Sequence, residues 1–510
     1  VLTKTYRLPA ALLALLAFVG AIPVVRALRV ADMNLCYRYM TADSYDWISN
    51  GLFWAGRPVL PSLRPPGLPL VIAALSKVGA LSLLPIVGFL FLGLSTALLY
   101  LLLRERHDPW ISAVAAWFFF ANDYVLDLAK YVLAETYATP FLVLAVLACV
   151  RAGWDLRWYP AMGAALGAGF LFSYAAAPAG LGLALAVLAV RAEDVRRRPL
   201  WVGALIAVGA VGSWLAVRAW FHRAHPDAPR HAFELLVSPT LSNATFYAIS
   251  GVALLGLLPL VLYALGVFRL FGVGSAFRRY RAAWLLTAST LLVFLVFFYD
   301  WADKRFLVYA LPFLTCALAE GLENLRSFAA RGRFATFAAA ALLGGCLLWN
   351  QIRYPSYGFY YLALTPEHFL EAALTTRDNF KIEQHLAGAR VVRLHDSLAS
   401  SFSGGLFDPR PRPVPCAPAD PAIACLATLK RAADTLLAPG EPMGFLPPKD
   451  WPADGHSSFI RLRNVFERPV LDIHSAAVSL GGVEVVQPGA DLTKPPFVAH
   501  CGPYVMARTR

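Results

Sequence analysis

The sequence predicts a polytopic α-helical membrane protein of about eleven transmembrane helices, followed by a C-terminal extracytoplasmic α/β domain. Three observations predict it. Hydrophobic residues fill 58% of the 510 positions and charged residues only 15%, where a soluble chain carries about a quarter charged, so an ordinary soluble enzyme is excluded. Apolar runs approaching the roughly 20 residues that span a bilayer recur through residues 1–350 and then stop. Charge divides at the same point: residues 1–350 hold 29 basic and 17 acidic side chains, residues 351–510 hold 16 and 15. Aromatics at 13% and 36 prolines exclude disorder and fibrous repeats.

The clearest spans are residues 8–25, 81–103, 200–221, 246–268, 282–298, 306–322 and 334–349. Four shorter runs, 110–125, 136–150, 160–174 and 179–190, need flanking residues to cross. Lys and Arg accumulate in cytoplasmic loops. With Lys4 and Arg7 inside, alternate loops place 17 basic residues inside and 12 outside within this region. Parity requires a hairpin near Pro178, because one long helix over 160–190 would put Arg157 and Arg196 on opposite sides. The first outer loop is residues 29–66. No small-x-small cleavage site precedes Arg26 and Arg29, so the first run reads as an uncleaved span.

An odd number of crossings puts residues 351–510 outside. Thr365-Pro366-Glu367 followed by Phe369, Leu370 and Leu374 reads as a capped helix. The runs 391–394, 470–473 and 483–486 read as strands, and the proline-rich stretch 408–418 as loop. Cys149, Cys316 and Cys346 fall in helices as apolar packing residues. Cys36, Cys416, Cys425 and Cys501 fall on the oxidising side, where a Cys416–Cys425 bridge is one of several open pairings. No zinc spacing, phosphate loop or dinucleotide fingerprint is present, and the irregular His222, His225 and His231 give no metal site.

This topology gathers polar residues from four separate stretches at the outer face: 32–64, 123–135, 222–234 and 300–305. Carboxylates and cations converging above an apolar bundle suit a transfer reaction with a lipid-linked donor; the alternative is ordinary water-facing loops. The first outer loop reads Thr41-Ala42-Asp43-Ser44-Tyr45-Asp46-Trp47, then Arg64-Pro65-Pro66-Gly67-Leu68-Pro69-Leu70. It resembles the GT-C glycosyltransferases, a superfamily that includes protein O-mannosyltransferases, the aminoarabinose transferases of lipid A and bacterial polyprenyl-phosphate-sugar transferases. Lys130 to Thr136, with Lys130 ahead of Glu135, and Lys304-Arg305-Phe306 to Pro312-Phe313 are similar to later motifs of the same family. Two departures stand out. Ala176-Ala177-Pro178 replaces a Thr-Arg-Pro turn of many relatives, so any role of that arginine is absent or supplied elsewhere. Asp43 is followed by Ser44 and not by Glu, which favours a glycan or lipid acceptor over protein.

The resemblance implies an integral enzyme of the bacterial inner membrane. Its partners would be a polyprenyl-phosphate sugar donor, membrane lipid and an extracytoplasmic glycan, lipid or protein acceptor. No cofactor, metal or nucleic acid is expected. It further implies that Asp43 withdraws the proton of an acceptor hydroxyl in a single inverting displacement, that Arg64, Lys130, Lys304 and Arg305 meet the donor phosphate, and that Asp46 and Glu135 contact acceptor or sugar. The residues themselves leave other readings open. Asp43 could be a helix N-cap, Arg64 an interfacial anchor, Lys130, Lys304 and Arg305 rim charges, and Glu135 a helix-dipole partner. Rival functions are a polyprenyl-lipid flippase or transporter and an inactive assembly subunit. Spans nearly free of ionisable residues and the lack of an inverted repeat speak against transport.

Overall fold

A computed structural model describes residues 42–56, 62–80, 83–129, 132–225, 254–270, 278–298 and 304–352, isolated positions between 244 and 251, and five strands between 443 and 508. The described part of the bundle comprises α1 (Ala42–Trp54), α2 (Gly67–Lys77), α3 (Leu84–Arg104), α4 (Pro109–Phe120), α5 (Asp123–Ala129), α6 (Ala134–Arg151), α7 (Trp158–Phe172), α8 (Ala176–Arg191), α9 (Arg198–Ala224), α10 (Leu257–Leu270), α11 (Arg278–Phe298), α12 (Leu311–Ala329) and α13 (Arg333–Ile352). Short 3₁₀ turns, Ala192–Arg196 and Lys304–Tyr309, follow α8 and precede α12.

Local chemistry sets several boundaries. Asp108 accepts from the N–H groups of Trp110 and Ile111 at 2.9 and 3.0 Å, with Pro109 in the first turn, so α4 starts where its orphan donors are satisfied. Ser173 is extended, at φ −155° and ψ 141°, which ends α7. The expected hairpin is therefore present, with its turn at 173–175 and Pro178 inside the first turn of α8.

Among the described residues five helices are long and apolar enough to cross a membrane: Ile86–Arg104, Ala134–Arg151, Ala176–Arg196, Arg198–Ala224 and Arg278–Phe297. The chain is a helical membrane protein. Two of these coincide with runs that look short in the sequence, 136–150 and 179–190. They lengthen because α6 begins with a buried Glu135 that interrupts the apolar pattern but not the helix, and because the 3₁₀ turn extends α8. Conversely, the run 306–322 splits into a 3₁₀ turn and α12, whose later half carries Glu320, Glu323 and Arg326. The expected first span, 8–25, lies outside the described residues.

Helices α7 and α9 run side by side in the same direction. A Cβ on Gly163 would collide with the Gly203 carbonyl, so the two backbones touch there, and Gly167 faces Ala207 and Ala210 further along. Glycine allows this approach, which is a common packing device in membranes.

One end of the bundle, at the α3–α4, α6–α7 and α8–α9 turns, is closed by ion pairs between helix termini; we call it the basic end. Glu320, fully buried, takes Arg106 at 3.2 Å and Arg269 at 3.2 Å, with His107 at 3.9 Å. Arg326 pairs with Glu323 at 2.8 Å and with Asp108, and Arg151 with Glu105 at 2.8 Å. Asp194, also fully buried, accepts from Tyr159 at 2.6 Å and pairs with Arg191 at 3.1 Å.

Beyond residue 352 the described residues form one mixed sheet in the order β2-β1-β3-β5-β4. Its strands are β1 (Met443–Leu446), β2 (Val470–Asp472), β3 (Val483–Val486), β4 (Phe497–Cys501) and β5 (Tyr504–Arg508). β1 pairs in parallel with β2 and β3, whereas β5 runs antiparallel to β3 and β4. β2 and β3 fall on two of the expected strands. The expected strand 391–394, the helix after Thr365 and the Cys416–Cys425 pairing lie outside the described residues. Cys149, Cys316 and Cys346 are buried free thiols.

Candidate functional site

The opposite end of the bundle, the loop end, is built from segments that are short or not α-helical. Helix α1 lies on α2: a Cβ on Gly51 would collide with the Ile72 side chain, so glycine lets the two helices close. The connection between them returns to α1 through three polar contacts. Ser62 Oγ donates to Asp46 Oδ2 at 2.7 Å, Arg64 Nε donates to the same oxygen at 2.5 Å, and the Arg64 backbone N–H donates to Asn50 Oδ1 at 2.7 Å. Asn50 in turn donates to the Asp46 carbonyl at 2.8 Å. Between the two anchoring residues stands Leu63, buried, with φ 51°. A branched residue in the left-handed region costs about 1–2 kcal/mol, and the flanking hydrogen bonds hold it there.

Asp46 and Arg64 are both largely out of water, with side-chain exposures of 4% and 13%. Removing either partner would take a buried counter-charge from the other, at a cost of about 3–5 kcal/mol. The Arg64 guanidinium also lies 5.0 Å from the Trp47 ring centre.

A second buried pair stands nearby. Arg305, in the 3₁₀ turn Lys304–Tyr309, approaches Glu135 at 3.3 Å, and its guanidinium is 4.8 Å from the Phe306 ring. Glu135 sits in the first turn of α6, where the helix dipole favours a carboxylate. Its location fits the dipole reading.

A continuous set of contacts joins the pairs. Gly67, three residues after Arg64, lies so close to α7 that a Cβ would stand 2.6 Å from the Phe172 ring. The next residue, Ser173, shares a 2.7 Å hydrogen bond with the Tyr309 hydroxyl, and Tyr309 ends the turn that carries Arg305. Tyr174 accepts from Trp214 Nε1 at 3.2 Å and from Arg218 at 3.3 Å. A guanidinium therefore does reach the turn that lacks its own arginine, from α9. Phe221, one turn beyond Arg218, meets Phe53 of α1 edge-on at 5.4 Å.

Of the residues singled out from sequence, Asp46, Arg64, Glu135 and Arg305 are thus brought to one end of the bundle. Asp43 is the second residue of α1, three positions before Asp46, so it stands in the first turn and not at the expected N-cap position. Its side chain and that of Lys304 lie outside the described residues, as does Lys130 entirely. His222 and His225 fall at the end of α9, His231 outside the described residues. Among the described residues no group of three His, Cys, Asp or Glu could hold a metal. Sequence reasoning passed over Asn50, Ser62, Tyr174, Tyr309 and Arg218. The i, i+4 spacing of Asp46 and Asn50 on a helix was a usable signal; the others are long-range partners and left none.

The fold and this end together define a class: a helical membrane protein with paired carboxylates and arginines gathered at one end of its bundle. Residues 63–216 match the family model described as dolichyl-phosphate-mannose-protein mannosyltransferase. The structure is similar to ArnT from Cupriavidus metallidurans bound to undecaprenyl phosphate, with TM-score 0.54, 16% identity and 98% of each chain covered. The apo state of ArnT gives TM-score 0.53 at the same identity and coverage. The chain therefore has a GT-C fold, and no curated protein sequence matches it significantly.

Proposed function

We propose that the chain is an integral membrane glycosyltransferase that moves one sugar from a polyprenyl-phosphate donor to an extracytoplasmic acceptor hydroxyl. The observation that carries this reading is the meeting of Asp46–Arg64 and Glu135–Arg305 at the loop end, joined through Gly67–Phe172 and Ser173–Tyr309. The match over residues 63–216 and the ArnT-like fold support it, and the undecaprenyl phosphate bound to ArnT favours that carrier.

In this reading the basic end faces the cytoplasm, in keeping with the accumulation of arginine in cytoplasmic loops, and the loop end faces the opposite compartment of a bacterial inner membrane. The Asp43 carboxylate accepts the acceptor's hydroxyl proton while that oxygen attacks the anomeric carbon. The bond from this carbon to the phosphate oxygen breaks with inversion, and the carrier leaves as its phosphate anion. A phosphate leaving group needs no proton, only positive charge, and Arg64, Arg305, Lys130 and Lys304 supply it. Asp46 and Glu135 hold Arg64 and Arg305 in place, keeping the guanidinium planes ready to receive phosphate oxygens. In the same reading residues 351–510 belong to the extracytoplasmic side, where their role is to orient the acceptor.

The test uses the purified full chain in lipid nanodiscs, offered radiolabelled undecaprenyl-phosphate sugars one at a time with a glycan or lipid acceptor. One sugar should be transferred with inversion, and Asp43→Asn should abolish transfer while the protein stays folded. Normal turnover by Asp43→Asn would overturn the assignment of the base, and consumption of none of the donors would overturn the function.

A further inference from the structure

Nine arginines and three acidic residues occupy residues 151–157, 191–198 and 278–281, which form the α6–α7 turn, the α8–α9 turn and the first turn of α11. Helix packing brings an arginine from each of the last two segments to the first. Gly182 of α8 lies so close to α11 that a Cβ would stand 2.6 Å from the Thr287 backbone. Nine residues along α8 from that contact comes Arg191, and eight residues back along α11 comes Arg279. At 1.5 Å per residue both stand about 12–14 Å from it, at one level. Both meet Gly153 in the α6–α7 turn. Arg191 donates to its carbonyl at 3.1 Å, and the Arg279 guanidinium fills the place that a Cβ on Gly153 would take.

The two cations differ in how their charge is met. Arg191 pairs with Glu193 and with buried Asp194, each at 3.1 Å. Arg279 is half-buried, and among the described residues it has no hydrogen-bonded or ion-pair partner. The carboxylate in its neighbourhood, Asp194, is taken by Tyr159 and Arg191. Residues 270–277, which lead into α11, hold no acidic side chain. The helix does not favour the charge either, since its first turn carries arginines and no acidic residue where the dipole disfavours cations. A guanidinium held beside a second cation, with its planar fork of donors, suits an oxyanion that accepts two parallel N–H bonds.

The surroundings show where that oxyanion comes from. Trp110 and Trp201, at the starts of α4 and α9, and Trp154 in the α6–α7 turn are 80%, 56% and 85% exposed. Tryptophan collects at the boundary between hydrocarbon and headgroups, and Trp154 adjoins Gly153, so the Arg279 fork lies at headgroup depth. Basic pockets between helices at that depth suit anionic lipid headgroups.

We propose that Arg279 binds the phosphate of an anionic phospholipid in the leaflet at the basic end, with the headgroup seated against Gly153. Arg278, exposed beside it, adds attraction for the lipid's negative charge. The seat lies at the opposite end of the bundle from Asp46–Arg64 and Glu135–Arg305, and it does not rest on the glycosyltransferase reading.

The experiment places the full chain in phosphatidylcholine nanodiscs doped with phosphatidylglycerol and follows retained lipid by native mass spectrometry, with melting measured in parallel. Wild type should retain phosphatidylglycerol in preference to phosphatidylcholine. Arg279→Gln should weaken that binding about tenfold, the loss of one charge-assisted contact, with the melting midpoint kept. Gly153→Ala keeps every charge but puts a methyl group where the guanidinium lies. It should weaken binding in the same direction, and it carries the test if the glutamine variant does not fold. Arg333→Gln removes the same charge from the exposed start of α13 at the same end and should bind as wild type does. Equal loss in Arg333→Gln and Arg279→Gln would reduce the effect to diffuse charge attraction and overturn the seat. Wild-type retention by Arg279→Gln or Gly153→Ala, or no lipid preference in the wild-type chain, would overturn it as well. Displacement of the lipid by millimolar inorganic phosphate would assign the arginine to a soluble anion and overturn the lipid role.

Discussion

The two ends of the bundle use the same side chains for opposite purposes. At the basic end, Arg106, Arg269 and Arg326 meet Glu320 and Glu323; the three arginines lie on or beside the ends of α3, α10 and α12, with Glu320 at the middle of α12 and Glu323 one turn further on. At the loop end, Arg64 follows an irregular segment that contains a strained Leu63, and Arg305 lies on a 3₁₀ turn. Charges fixed on helix ends tie helices together. Charges fixed on short segments can be aimed, at the cost of local strain. Burial alone does not separate these cases, since Glu320 and Glu135 are both buried and both on long helices; the element that carries the arginine does.

Mutation can break or sharpen this contrast. The largest effect is expected from Asp43→Asn, which should lower the transfer rate about 10²–10⁴-fold, the range of a general base, with an unchanged circular-dichroism melt. Next comes Glu320→Leu at the other end, which removes the buried carboxylate that Arg106 and Arg269 share and should cost about 3–5 kcal/mol of stability. The melting midpoint in nanodiscs should fall sharply, yet turnover per folded molecule should match wild type; a selective loss of turnover would erase the distinction between the ends. Asp46→Asn frees Arg64 to move and should reduce turnover about 10–10²-fold, as small misplacements of a binding group do, and steady-state kinetics on the folded fraction would show it. The smallest effect belongs to Tyr159→Phe, which removes a hydrogen bond to buried Asp194 and should cost about 1–2 kcal/mol of stability without altering donor affinity.

How far the chain could be read from its residues follows the same division. Apolar length and the positions of Arg104, Arg151, Arg191 and Arg269 were enough to show a helical membrane bundle and the α7–α8 hairpin, because both are local or additive properties. Span limits failed where a polar residue is satisfied by a distant one: Glu135 looks like a terminus until Arg305 is seen beside it. Asp46, Arg64, Glu135 and Arg305 were legible through their order in four short motifs. Ser62 and Asn50 were not, because their roles exist only once the connection folds back on α1. Arg218 was passed over for the opposite reason: a lone arginine near a helix end resembles an ordinary anchor until its bond to Tyr174 is known.

The seam where Gly163 meets Gly203 has a reach beyond its own contact. Fifteen residues of helix separate Gly203 from Arg218, about 22 Å at 1.5 Å per residue. With so little side-chain bulk between them, α7 acts as a fulcrum for α9, and a methyl group added at either glycine would pivot the far tip of the rod. A substitution near the basic end of the bundle would thereby shift an arginine at its loop end, with no residue in between being altered.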